Sequence, residues 1–120
     1  AEGDFSRMEL RSPDAACNPY LAFALLIEAG LEGIEQAEAL PAPTNSNLYE
    51  ASPQETQHLA QLPQSLGEAL DLAQASNLVQ RVLPQSIRDK YFELKRAEAA
   101  RITSPEDRAQ QEQDLYFHRL

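Results

Sequence analysis

Polar and apolar positions alternate along Arg7-Met8-Glu9-Leu10-Arg11, a period of two that predicts a short strand over 1–12. Arg7, Glu9 and Arg11 then share one face in the order cation, anion, cation, while Met8 and Leu10 share the other. One face looks chemical and the other packed. The pattern changes after the loop from Asp14 to Asn18. Asn18 fits a helix cap, and Pro19 fits the first helical position because it has no N–H to leave unpaired. Within the helix so predicted over 18–35, Leu21, Phe23, Ala24, Leu25, Leu26, Ile27, Leu31 and Ile34 leave almost no polar face, so it should be covered on nearly all sides. Gly30 and Gly33 weaken a helix interior. A close helix crossing or a C-terminal cap explains them more simply than a ligand contact.

Segment 36–52, with Pro41, Pro43, Asn45 and Asn47, reads as an irregular linker that delivers Leu48 and Tyr49 to an exposed loop. The helical tail over 53–120 begins with two spacings that fit capping boxes, Ser52-Pro53-Gln54-Glu55 and Ser65-Leu66-Gly67-Glu68. The first helix ends near Leu62-Pro63, and the second carries Leu66, Ala69, Leu70 and Ala73 on one stripe. Another helical turn or two is expected over Ser76 to Leu83. Pro84 opens the longest amphipathic segment, with Ile87, Tyr91, Leu94 and Ala97 as its stripe and Arg88, Lys90, Glu93, Lys95 and Arg96 solvated. Ser104-Pro105-Glu106-Asp107 caps a last helix whose apolar tip, Leu115, Tyr116, Phe117 and Leu120, should dock somewhere. The fold class is therefore mainly α, one short N-terminal strand followed by about five helices.

A formal net charge of -9 argues against nucleic acid, whose phosphates call for clustered Lys and Arg. The longest apolar run, Tyr20 to Ile27, is interrupted by Glu28 and falls short of the roughly 20 residues that span a bilayer. Neither a membrane partner nor a secretory signal is expected. Cys17 is the only cysteine, so no internal disulfide forms; a reducing cytoplasm fits best, and the thiol reads as a small packed group. His58 and His118 read as surface groups, His58 on a short helix three residues after Glu55. One carboxylate and two arginines do not make a phosphoryl-transfer site without further ligands. A fragment of a larger protein is therefore expected.

The ordered pattern Arg7-x-Glu9-x-Arg11-Ser12-Pro13-Asp14-x-x-Cys17-Asn18-Pro19-Tyr20-Leu21-Ala22-Phe23, with Ala29-Gly30-Leu31-Glu32-Gly33-Ile34, resembles the C-terminal part of the catalytic domain of bacterial type I glutamine synthetases. The similarity continues through Asn47-Leu48-Tyr49-Glu50, Leu62-Pro63-x-Ser65-Leu66-x-Glu68-Ala69-Leu70 and Tyr91-Phe92-x-x-Lys95-Arg96-x-Glu98. The resemblance implies an α+β parent domain and ATP-dependent glutamate–ammonia ligation through γ-glutamyl phosphate. On the matching positions, it implies that Glu9 ligates Mg2+ or Mn2+, Arg11 binds glutamate and Arg7 assists with phosphate charge. These roles suit the groups. Mg2+ and Mn2+ prefer oxygen ligands, and a planar guanidinium fork suits a carboxylate or acyl phosphate.

Tyr49 is similar in context to the tyrosine that some members of the family have adenylylated, but its flanks Thr44-Asn45-Ser46 and Ala51-Ser52 depart from the more basic context of the regulated enzymes, and a plain loop tyrosine that packs its ring is the preferred reading. The implied partners are glutamate, ammonia, ATP, the remainder of the synthetase and the neighbouring subunits of a dodecamer. The other metal carboxylates, the metal histidine and the ammonia-site aspartate of the family are absent, so the chain alone should be inactive. The alternatives are a non-catalytic helical module that binds intact synthetase subunits, and a fragment of a γ-glutamyl-amine ligase. After Glu98 the chain diverges from the family pattern.

Overall fold

The computed structural model describes residues 9–44, 47–102, 104 and 106–117. Six helices occur among them: α1 (Pro19–Glu35), α2 (Pro53–Thr56), α3 (Leu66–Ala75), α4 (Asn77–Val82), α5 (Gln85–Arg101) and α6 (Arg108–Tyr116). The expected strand is not formed among the described residues; Glu9 to Ser12 carry no ladder hydrogen bonds, and Arg7 and Met8 lie outside the described residues. The reason is physical. A strand is stabilised by pairing its backbone groups with a neighbour, and the described chain supplies no second strand.

The helix boundaries follow local chemistry. Asn18 Oδ1 accepts from the N–H groups of Tyr20 (3.0 Å) and Leu21 (3.3 Å), with Pro19 next to the cap as expected. At the other end, Glu38 N–H donates to Gly33 O and Ala37 N–H to Ile34 O, while Ala37 takes φ 50°. This is a Schellman stop with alanine in the left-handed position that glycine ordinarily fills. Gly30 and Gly33 therefore do not cap the helix. Nothing lies within 4 Å of a Cβ placed at Gly30, and only the Glu38 carboxylate, at 3.8 Å, faces one placed at Gly33, so no close crossing explains them here.

The Glu55 carboxylate accepts from the backbone N–H (2.8 Å) and hydroxyl (2.7 Å) of Ser52, and these bonds hold its pKa below the ordinary carboxylate range. Around α3 the reciprocal bond shifts by one residue. Ser65 Oγ accepts from Glu68 N–H, but the Glu68 carboxylate accepts from Gln64 N–H. Ser76 ends α3 and caps α4 through Val79 N–H, which lets two helices join without a loop.

α3 packs on α4 and α5, and α1 packs on α4. The expected stripe of α3 is correct: Leu66, Ala69 and Ala73 are half-buried and Leu70 is buried. On α5 the inward face is displaced from the expected one. Tyr91 is half-buried as expected, but Ile87, Leu94 and Ala97 are exposed, whereas Arg88, Phe92, Lys95 and Arg96 are half-buried. Two of those cations are consumed by packing. Arg96 reaches across to Asp71 (2.5 Å) and Gln74 (3.2 Å) on α3, and Lys95 pairs with Glu98 (2.6 Å) beneath the Tyr116 ring.

The tip of α6 docks on the same chain, as expected of an apolar end. Leu115 is buried and the Tyr116 hydroxyl donates to Glu98 (3.1 Å). Phe117 stays exposed, and Leu120 lies outside the described residues.

The core is small. Leu70, Leu83 and Leu115 are the buried apolar residues among those described, and no residue of α1 is buried. The radius of gyration, 17.4 Å, exceeds the value of about 14 Å for a compact domain of this length. The expectation that α1 is covered on nearly all sides is thus not met within this chain.

Candidate functional site

Glu9 and Arg11 lie in the extended segment that enters α1. Extended backbone sends residues two apart to the same side, and Arg11 Nε donates to Glu9 Oε1 at 2.6 Å. The two side chains keep 61% and 81% of their surface exposed, so the pair is held in bulk solvent and contributes at most about 1 kcal/mol. Behind it, Asp14 organises the turn into α1. Its carboxylate accepts from Ala16 N–H (2.8 Å) and its carbonyl from Cys17 N–H (3.0 Å). Cys17 is half-buried and unbridged.

As a donor set this is one arm of a site. The Glu9 carboxylate has the oxygen chemistry that Mg2+ or Mn2+ takes, but no group of three or more His, Cys, Asp or Glu able to hold a metal occurs among the described residues. Arg7, the third expected member, lies outside the described residues, as does His118. His58 is exposed in the turn after α2, two residues beyond the short helix on which it was expected. A shallow cleft of about 270 Å3 between α5 and α6 is lined by Arg101, Gln111, Asp114 and Leu115 and includes no candidate site residue.

Tyr49 sits in a turn closed by Glu50 N–H to Asn47 O (3.0 Å) and Tyr49 N–H to Asn47 Oδ1 (3.2 Å). The Tyr49 side chain is not packed: the residue is 96% exposed. This corrects the preferred reading of a loop tyrosine that tucks its ring away. The turn is fixed by Asn47, and the described chain offers the ring no apolar surface.

Comparison with known proteins identifies the class to which these features belong. Residues 1–115 match the glutamine synthetase catalytic domain, and the chain belongs to that family of ligases. Glutamine synthetase of Methanocaldococcus jannaschii is 40% identical over 100 residues, which are 82% of this chain and 22% of that protein. Glutamine synthetase of Mycobacterium tuberculosis is 41% identical over the same shares, and that of Streptomyces coelicolor is 46% identical over 71 residues, 59% of this chain. The chain thus spans about a fifth of the length of the Methanocaldococcus and Mycobacterium relatives. No solved structure matches it.

Proposed function

We propose that this chain is the C-terminal part of a type I glutamine synthetase catalytic domain and supplies one arm of a glutamate–ammonia ligase site. In that reaction the γ-phosphoryl group of ATP passes to the side-chain carboxylate of glutamate. Ammonia then attacks the acyl carbon and phosphate leaves. Glu9 would serve as one ligand to Mg2+ or Mn2+, which would supply charge neutralisation for phosphoryl transfer, and Arg11 would hold the glutamate carboxylate or its acyl phosphate. Arg7 assists with phosphate, and Tyr49 is a candidate for adenylylation on account of its exposure.

The observation that carries this reading is the family match over residues 1–115. The adjacent placement of Glu9 and Arg11 on one side of the chain supports it. Their exposure supports the expectation that the chain has no activity alone. Electrostatic stabilisation of a transferring phosphoryl group needs a water-excluded, preorganised site, and an ion pair in open solvent offers none. Activity therefore requires the remainder of the synthetase and its neighbouring subunits, in a cytoplasmic enzyme.

A second reading is favoured by the exposed apolar face of α1: a helical module that binds synthetase subunits without catalysing. A third keeps the ligase chemistry and replaces ammonia by an amine, a choice made by residues outside this chain. The test is MgATP-dependent glutamine formation by the chain alone and when mixed with the complementary part of a related synthetase. Activity should appear only on mixing, and Glu9→Ala should lower it on the order of 10²-fold or more. Full activity of Glu9→Ala in the mixture would remove Glu9 from the site, and no activity from a folded, associated mixture would favour the binding module.

A further inference from the structure

The cleft of about 270 Å3 where α6 rests on α5 is lined by both signs of charge. Arg101, the last residue of α5, lines it from one helix and Asp114 from the other, while Gln111 adds a half-buried amide and Leu115 a buried apolar surface. The two helices are joined by the chain itself, because Leu115 is buried and the Tyr116 hydroxyl donates to Glu98 at 3.1 Å. The other charges nearby are paired. Lys95 holds Glu98, and Arg108 holds Glu112 at 2.7 Å within α6. The Arg101 guanidinium, by contrast, makes no hydrogen bond or ion pair among the described residues. One carboxylate oxygen of Asp114 accepts from the Gln110 amide at 2.8 Å, and the other has no partner among them. A cation and an anion thus line one small cleft without pairing with each other.

We propose that this cleft binds a small α-amino acid as its zwitterion, with the carboxylate on Arg101, the ammonium on Asp114 and the side chain against Leu115. The two charges select the class. A guanidinium fork takes a carboxylate through parallel hydrogen bonds, and an aspartate accepts from the N–H groups of an ammonium. A ligand with only a carboxylate or phosphate meets Asp114 as a like charge, and a bare amine meets Arg101 in the same way. The net charge of -9 further disfavours a ligand that is negative overall. Size narrows the choice. At ~30 Å3 for each water, the cleft has room for about nine waters, hence for a molecule of on the order of nine non-hydrogen atoms. That admits alanine, serine or valine and excludes a nucleotide or a peptide. A bound amino acid spans α5 and α6, so it also ties α6 down. The proposal goes beyond the ligase reading and does not rest on it, since none of Glu9, Arg11 and Tyr49 lines the cleft.

The experiment titrates the full 120-residue chain with L-alanine and follows its amide signals and their exchange by NMR. Propionate and ethylamine, which each keep one of alanine's two charges, are titrated beside it. Expected is a saturable shift of the Gln111, Asp114 and Leu115 amide signals by alanine at millimolar concentration, with exchange across α6 slowed several-fold. Propionate and ethylamine should bind about tenfold more weakly or not at all. Arg101→Gln and Asp114→Asn should each raise the half-saturating alanine concentration about tenfold or more. Arg108→Gln, which removes only the exposed pair with Glu112, should leave it unchanged within about twofold. No saturable response to alanine overturns the inference. So does an α6 whose amides are unprotected with and without alanine, because the cleft then does not form. Propionate or ethylamine binding as tightly as alanine also overturns it, as does unchanged half-saturation in either cleft variant. An equal loss in Arg108→Gln does the same, since the variants then act through the helix and not through the cleft. The readout requires no glutamine formation, so failure of the ligase reading leaves the cleft standing, and failure of alanine to bind leaves the ligase reading standing.

Discussion

Ala37 is the residue whose backbone most departs from its side chain's preference. With φ 50° it occupies the left-handed region, where an L-residue other than glycine, asparagine or aspartate pays roughly 1–2 kcal/mol. The conformation persists because it lets Glu38 and Ala37 satisfy carbonyls at the end of α1. Ala37→Gly should therefore strengthen the stop by about 1 kcal/mol. Amide exchange at Glu38, whose N–H donates to Gly33 O, is expected to slow about fivefold, in line with the equilibrium factor for that free energy. The position was not legible in the sequence. Gly30 and Gly33 drew attention as possible caps, yet the stop falls on an alanine, because the end of a helix is set by where its carbonyls find donors. Glu9 and Arg11 were legible at this scale, since alternation along an extended segment is enough to put them on one side.

Among the elements, α3 and α5 are joined by a guanidinium. Arg96 bonds Asp71 and Gln74 from α5 and lies within 3.5 Å of Gly67 O, so one side chain ties three positions along α3. Its side chain is 40% exposed, which limits the contribution to about 1 kcal/mol, including the packing of its stem. Arg96→Ala should accordingly raise amide exchange across α3 several-fold. Arg108→Ala, which removes only the exposed pair with Glu112 within α6, should cost about 0.3 kcal/mol and leave α3 unchanged. An equal response in both variants would show that Arg96 is not a clamp. Reading α5 from its pattern placed Ile87, Leu94 and Ala97 inward and Arg96 in water. The error has a specific source. Arg96 reaches α3 and Lys95 lies between Glu98 and the Tyr116 ring, and a stripe drawn mainly through aliphatic residues does not register side chains that bury stems and solvate heads.

For the whole molecule, the deciding feature is how little is buried. Three leucines form the buried apolar set among the described residues, while Tyr20, Phe23, Ile27, Leu31, Ile34, Leu40 and Tyr49 face solvent. A chain of this kind has local helices, each with its own cap, and few distant contacts to make them melt together. Heating the isolated chain should give a broad, weakly cooperative loss of helical circular dichroism, and an apolar dye should bind it in the cold. A sharp two-state transition with no dye binding would show that the chain closes a core of its own. No helix among the described residues is long and apolar enough to cross a membrane.

The sequence by itself determined the local events: the Asn18 cap, Pro19 at the first turn, the serines before α2, α3 and α4, and the apolar face of α3. These depend on neighbours within four residues and survive whatever surrounds them. It also carried the family, because the motifs between Arg7 and Glu98 follow in order along the chain, inside the residues 1–115 that match the family. Tertiary structure decided which apolar face of α1 meets α4, which cations of α5 leave water, where α6 rests, and that Glu9 to Arg11 have no sheet beside them among the described residues. Those outcomes depend on distant chain being present to pair backbone groups and cover apolar surface. Where that chain is missing, a strand-like pattern remains an extended segment and a helix that reads as buried stands with one side in water.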